Sequence, residues 1–190
     1  MFTRRTLAVA GVGVLLIVAT ALPSPAQLPT FGLGRTPTAE EIRAWDVTIP
    51  PDGRGLPPSS GTAALGKPVY TERCASCHGE KGEDPKYFVL VGGRGTLNTD
   101  KPLRTIGSFW PYATTLWSYI NRTQPFGEPG SLTPDQVYAV TAYLLYLNGI
   151  IGEHDIMDAG TLPQVRMPNR DGFVADPRPD VGKPAKTGNR

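Results

Sequence analysis

Apolar residues recur at helical spacing along three stretches of the chain, and the polar residues between them follow no period. The clearest stretch is the last, where Val137, Val140, Thr141, Leu144, Leu145 and Leu147 form one broad apolar face. Thr133 supplies an N-cap for it, Pro134 the first helical position, Gln136 the third, and Gly149 a stop just past the end. Leu116, Trp117 and Ile120 predict a second helix over residues 112–122. A third carries Leu65, Val69 and Tyr70 and runs into Cys74, with Pro68 either in its first turn or kinking it. Further upstream, Thr38 and Glu41 make a capping box for a short helix whose apolar edge is Ile42 and Trp45, and Trp45 is expected to pack onto the main body. Residues 79–112 show neither period and are full of Gly, Pro, Thr and Asp. They read as a long loop, and long loops in small domains usually wrap around something. No strand-like alternation of useful length and no internal repeat occurs.

The N-terminus reads as an export signal. Arg4 and Arg5 open it, an uncharged apolar run follows from Leu7 to Leu22, and the small residues Ala19, Ala21 and Ala26 offer cleavage after Ala21 or Ala26. Thr3-Arg4-Arg5-Thr6-Leu7 also resembles a twin-arginine signal. An uncleaved anchor is the alternative, although the run is shorter than the roughly 20 residues that span a bilayer. No later segment is apolar enough to span. The organisation expected is a signal peptide over 1–26, a Pro/Gly-rich extension with a short helix over 27–60, and a central domain over 61–149. An extension over 150–175 wraps that domain, and a mobile tail follows over 176–190. The mature protein is expected in the periplasm, with no membrane span after signal cleavage.

Composition narrows the class. The 190 residues include 22 glycines and 20 prolines, and 39% are hydrophobic, which favours a small core inside much irregular backbone. Lys plus Arg is 19 against 17 for Asp plus Glu, and with Arg4 and Arg5 set aside the remainder is near neutral. A basic nucleic-acid binder is thereby disfavoured. Only two cysteines exist, so a disulfide framework is excluded and their chemistry is local.

That chemistry sits in Cys74-Ala75-Ser76-Cys77-His78, the pattern of c-type haem attachment. Two thiols three residues apart on a turn match the two vinyl groups of haem, and His78 then lies beneath the iron as an axial ligand. A zinc site would want a fourth ligand, for which only His154 is a usual strong candidate. A thioredoxin-like pair would follow a strand in a βαβ unit, and none is visible. Export also favours haem, since covalent attachment occurs outside the cytoplasm. One covalent haem c would supply the apolar surface that a chain of short helices lacks. Gly66 and Tyr70 on one helix, with Ala142 and Tyr143 on the last, are similar to the small-plus-aromatic crossing of small c-type cytochromes. The fold class expected is therefore all-α, the class I cytochrome c fold around one covalent haem, with long irregular N- and C-terminal extensions.

The second axial ligand decides between electron transfer and ligand binding. In small cytochromes of this class a Met is expected in the loop before the last helix, where this chain reads Arg122-Thr123-Gln124-Pro125-Phe126. Apart from Met1, only Met157 and Met167 remain, both beyond the last helix. Met167, followed by Pro168 in an irregular segment, is the expected second iron ligand. Met157, His154, Gln124, water or an empty position stay open as alternatives.

Several stretches carry a family resemblance: residues 40–46 (EEIRAWD), 51–58 (PDGRGLPP), the haem motif, 110–117 (WPYATTLW), the last helix through Asn148, and 167–173 (MPNRDGF). From about Thr36 to Val181 the chain resembles the cytochrome c subunits of periplasmic sulfane and sulfite dehydrogenases, SoxD-like and monohaem. The resemblance implies a molybdenum-containing sulfane or sulfite dehydrogenase subunit as electron donor and a downstream periplasmic cytochrome as acceptor. It also implies that the extension around Trp45 and the tail after Gly149 help form the interface with that donor. The chain would be an electron-transfer subunit with no catalytic residues of its own. Lys67, Arg73, Lys81 and Lys86 flank the haem segment as candidates for steering a partner. The alternatives are an independent soluble shuttle, or a haem protein whose open sixth site binds small ligands.

Overall fold

The structure, a computed structural model, describes residues 31–176 and 178. The expected signal segment and most of the expected tail lie outside the described residues. The chain divides into two compact units, Met1–Ala39 and Glu40–Arg190. Of the first, residues 31–38 are irregular and exposed.

Five helices carry the described chain: α1 Ala39–Trp45, α2 Ala63–Arg73, α3 Ala75–His78, α4 Ala113–Thr123 and α5 Pro134–Leu147. Two-residue strands β1 Ser60–Gly61 and β2 Met157–Asp158 pair antiparallel, Ser60 opposite Asp158 and Gly61 opposite Met157, and a 3₁₀ turn spans Leu162–Gln164. The all-α class expected from the sequence is what forms. The bridge is too short to leave an alternation in the sequence, so it went unpredicted.

Helix α5 forms for the reasons its sequence gives. The Thr133 hydroxyl accepts from the Gln136 N–H, the Gln136 side chain accepts from the Thr133 N–H at 2.9 Å, and Pro134 needs no donor at the first position. Gly149 follows the C-cap Asn148 at φ +61°. From Val137 to Leu145 every residue of α5 is buried. This helix is the centre of the molecule, and α2 and α4 both pack on it.

The crossing of α2 over α5 rests on two glycines. A Cβ on Gly66 would run into the Ala139 carbonyl, and one on Gly61 into the Ala139 N and Cα. The backbones therefore meet directly, and Tyr70 and Tyr143 close the crossing with ring centroids 5.3 Å apart. This choice of face turns Leu65 outward, 63% exposed, where the periodicity had suggested an apolar contact. Ala63, Gly66 and Tyr70 are buried in its place. Pro68 sits beyond the first turn, inside the helix.

The N-terminal extension also docks otherwise than expected. Trp45 is 86% exposed, and α1 buries no residue. The extension is fastened instead by Ile49, buried with its N–H donating to Ser118 Oγ at 3.2 Å, and by Pro57, whose carbonyl accepts from the Tyr138 hydroxyl at 3.1 Å. The apolar contact with α4 is thus made by Ile49, four residues after Trp45.

Among the described residues no helix is long and apolar enough to cross a membrane. Replacing Gly66 by Ala should gain about 1 kcal/mol of helix propensity and lose more to the collision with Ala139, as overpacking typically costs ~1–3 kcal/mol. The expected net result is a lower thermal midpoint, checked by following helical circular dichroism through unfolding.

Candidate functional site

The Cys74–His78 turn grows directly out of α2. The Cys74 N–H donates to the Tyr70 carbonyl at 2.8 Å, and the Cys77 and His78 N–H groups both donate to the Cys74 carbonyl, at 3.1 and 3.0 Å. One helical turn thus carries both thiols at i and i+3, on one side, with His78 beside them. Both cysteines are free and half-buried. Burial pushes the Cys74 thiol up to about 11, only partly offset by the Arg73 charge, so this thiol is held protonated at neutral pH.

Two further bonds fix the turn from below. The Tyr70 hydroxyl donates to the Gly79 carbonyl at 2.9 Å, and burial holds that phenol far above its ordinary range, so it remains a donor. His78 Nδ1 lies 3.1 Å from the Phe88 carbonyl. A carbonyl has no proton to give, so Nδ1 carries the hydrogen, and in the neutral ring the lone pair is then on Nε2. That tautomer is the one a metal ligand requires, and the acceptor on Nδ1 fixes its orientation.

Met167 is 1% exposed and belongs to the same apolar core that the Cys74 and Ala75 side chains border. Its segment is fastened to the end of the long loop: Asn169 Nδ2 donates to the Phe109 carbonyl at 2.9 Å, Phe173 meets the Phe109 ring edge-on, and Arg170 covers the Tyr112 ring. Met157 is buried too, in β2, whereas His154 is exposed and Gln124 is half-buried at the C-cap of α4. Of the cations flanking the motif, Arg73 is not free to steer a partner, being engaged by Glu128 at 2.7 Å and Ser131 at 2.9 Å.

The family model for cytochrome c matches residues 63–148, which takes in the turn, the loop and helices α2 to α5. A solved structure of the sulfane dehydrogenase SoxCD from Paracoccus pantotrophus contains a chain 40% identical to this one. The two superpose with a TM-score of 0.71 over 85% of this chain and 83% of that one. The chain belongs to the cytochrome c family. The thiosulfate dehydrogenase of Stutzerimonas stutzeri (strain A1501) is also similar, 30% identical in an alignment 138 positions long that covers 60% of this chain. This cytochrome spans 43% of the length of that relative.

Membership implies covalently bound haem c, and the residues present fit it. The two thiols and His78 Nε2 lie on one turn, as thioether formation and axial ligation need. The sequence alone pointed to Cys74, Cys77 and His78; it gave no sign of the Phe88 carbonyl, because a backbone acceptor leaves no residue signature. In cells that mature c-type cytochromes, the wild-type chain should stain for haem on a denaturing gel, and the double variant Cys74→Ser, Cys77→Ser should not.

Proposed function

We propose that this cytochrome is a periplasmic monohaem electron-transfer subunit, serving a molybdenum-containing dehydrogenase that oxidises a sulfur compound and delivering to another periplasmic carrier. The observation that carries the reading is the 40% identity to a chain of the sulfane dehydrogenase SoxCD across most of both chains. The similarity to a thiosulfate dehydrogenase supports a sulfur substrate for the partner. The signal-like segment at residues 1–26 supports export.

In this reading Cys74 and Cys77 hold one haem c through thioethers, His78 Nε2 binds its iron, and Met167 supplies the second axial sulfur. When bound, the haem supplies a site that takes up and releases one electron, and a thioether ligand favours that role over ligand binding. Met167 is supported by its place in an irregular, Pro-followed segment that three contacts fasten, through residues 169–173, to Phe109 and Tyr112. The chain's own residues need to do three things. His78 is held in one tautomer by the Phe88 carbonyl. The apolar core around Tyr70, Leu145 and Met167 excludes water. A surface must meet the partner, and the exposed Ile42, Trp45 and Val47 leave an apolar patch of the kind that marks protein interfaces.

The reading is tested by gentle isolation of the native protein from periplasm. Molybdenum co-eluting with haem, together with reduction of the haem band on adding sulfite or thiosulfate, is the expected outcome. A molybdenum-free monomer inert to both compounds would sink it in favour of a free shuttle. For the ligand, Met167→Ala should lower the reduction potential by on the order of 0.1 V, a fraction of the ~0.8 V range that axial ligands command. It should also make the reduced protein bind carbon monoxide. A wild-type protein that already binds carbon monoxide rapidly and completely would point instead to an open sixth position.

A further inference from the structure

His78 is oriented by a carbonyl ten residues away, and that carbonyl belongs to a residue whose side chain gives it little hold. The Phe88 side chain is 77% exposed, and Tyr87 before it is 52% exposed. Before Phe88 the backbone is tied by the Asp84 N–H to the His78 carbonyl at 3.1 Å and by the Lys86 N–H to Asp84 Oδ1 at 2.8 Å, and after it the next anchor comes two residues later. There Leu90 N–H and Val91 N–H donate to the Gly82 carbonyl at 2.7 and 3.2 Å, and the Leu90 carbonyl turns toward the end of α5.

Asn148 waits at that end. Its Nδ2 donates to the Leu90 carbonyl at 3.2 Å and to the Leu144 carbonyl at 2.9 Å, while its Oδ1 accepts from the Gly92 N–H at 3.1 Å. Both hydrogens and the oxygen of the amide are thus committed, and only one orientation satisfies all three partners. The residue is buried, Arg94 caps its backbone carbonyl at 2.8 Å, and Gly107 lies so near Oδ1 that a Cβ there would collide with it. An ordinary helix C-cap asks for none of this: the contacts to Leu90 and Gly92 reach across 58 and 56 residues of chain.

We infer that Asn148 is a positioning residue for the haem ligand, its amide pinning Leu90 and Gly92 to the end of α5 and so keeping the Phe88 carbonyl on His78 Nδ1. The inference rests on His78 as iron ligand. Its effect has a definite sign. A carbonyl drawing on Nδ1–H makes Nε2 the stronger donor, which favours the ferric state. Loosening the carbonyl weakens that donation, so the reduction potential rises and the ring N–H meets solvent more often.

The test uses the intact holoprotein in four variants. Asn148→Ala removes the amide. Asn148→Asp keeps an acceptor for Gly92 but sets carboxylate oxygen against the Leu90 and Leu144 carbonyls. Gly107→Ala displaces the amide from outside without touching it chemically. Thr133→Ala, at the far end of the same helix, is the comparison, since it removes a cap remote from the haem. Three quantities are read: thermal midpoint, reduction potential, and the exchange rate of the His78 ring N–H by nuclear magnetic resonance of the reduced protein. The expected result is an upward potential shift and faster ring exchange in the two Asn148 variants and in Gly107→Ala, with Thr133→Ala lowering only the midpoint. Asn148 variants that, like Thr133→Ala, lose midpoint while potential and exchange stay at wild-type values would overturn the inference. If Asn148→Ala accumulates no holoprotein, Asn148→Asp and Gly107→Ala decide by the same criterion. A wild-type protein without any haem-shifted histidine ring N–H would overturn the ligation itself, which separates that failure from a failure of Asn148 alone.

Discussion

The backbone of Ala139 is clasped between Gly61 on its amide side and Gly66 on its carbonyl side, and the site hangs from that contact. The clasp sets where α2 lies on α5, and each helix delivers one part of the site from its C-terminal end. Helix α2 continues through Cys74 into the turn of Cys77 and His78. Helix α5 ends at Asn148, which reaches back to the loop that holds His78. Tyr70 joins the two levels, its ring against Tyr143 and its hydroxyl on the Gly79 carbonyl. A tilted aromatic pair contributes ~0.5–1.5 kcal/mol beyond its area and one hydrogen bond ~0.5–1.5 kcal/mol net. Such sums match the ~1–3 kcal/mol that an intruding methyl would cost at this contact, but neither attraction dictates where the helices meet, whereas the bare backbones at Gly61 and Gly66 allow close approach at one place.

Between the turn and α4 the chain runs for more than thirty residues without regular structure, and its polar groups are paired by short side chains. Thr105 Oγ1 donates to the Gly92 carbonyl at 2.6 Å and accepts from the Gly107 and Ser108 N–H groups. Ser108 Oγ donates to the Leu103 carbonyl at 2.6 Å and accepts from the Thr105 N–H. Thr96 does the same between Gly93 and Leu103. Thr105 and Ser108 are buried, and leaving such groups unpaired would cost ~1–3 kcal/mol each. By contrast the ion pairs Arg54–Asp52 and Arg166–Asp171 are largely exposed and belong to a class worth ~0–1 kcal/mol. Within the loop itself the hydroxyls of Thr96, Thr105 and Ser108 are joined by Glu83, Asp84 and Arg94, each charged group bonded to backbone rather than to another charge.

How much of this was legible beforehand depends on whether the signal was local. The caps and period of α5, the existence of α2 and α4, and the haem turn are written in residues within a few positions of one another, and all are where the sequence put them. Trp45 and Leu65 went wrong for one shared reason: apolarity gives a tendency to be buried but no address, and the buried contacts are made by Ile49 and Gly66 instead. The β1–β2 bridge joins residues nearly a hundred positions apart through only two residues per strand. The Thr105–Ser108 knot was hidden inside a composition that reads simply as loop. Asn148 had a faint signal, an Asn immediately before the stop glycine of a helix, but its partners at Leu90 and Gly92 could be found only in three dimensions. Arg73 looked like a free cation because nothing in sequence connects it to Glu128.

Both proposed iron ligands take their bearings from this same irregular segment. His78 is oriented by the carbonyl of Phe88, near its start, and the tail that carries Met167 is fastened through Asn169 to the carbonyl of Phe109, near its end. Between those two carbonyls the segment is held by Asn148, by the Thr105–Ser108 knot, and by the Ile106 N–H on the Leu90 carbonyl. A site that must change charge without moving needs ligands whose own supports are locked. Regular sheet could not supply that here, since the described chain has only one two-residue bridge, so the locking falls to side chains bonded to backbone. The long loop is thus better understood as the frame on which the two sides of the site are squared to each other than as a covering laid over them.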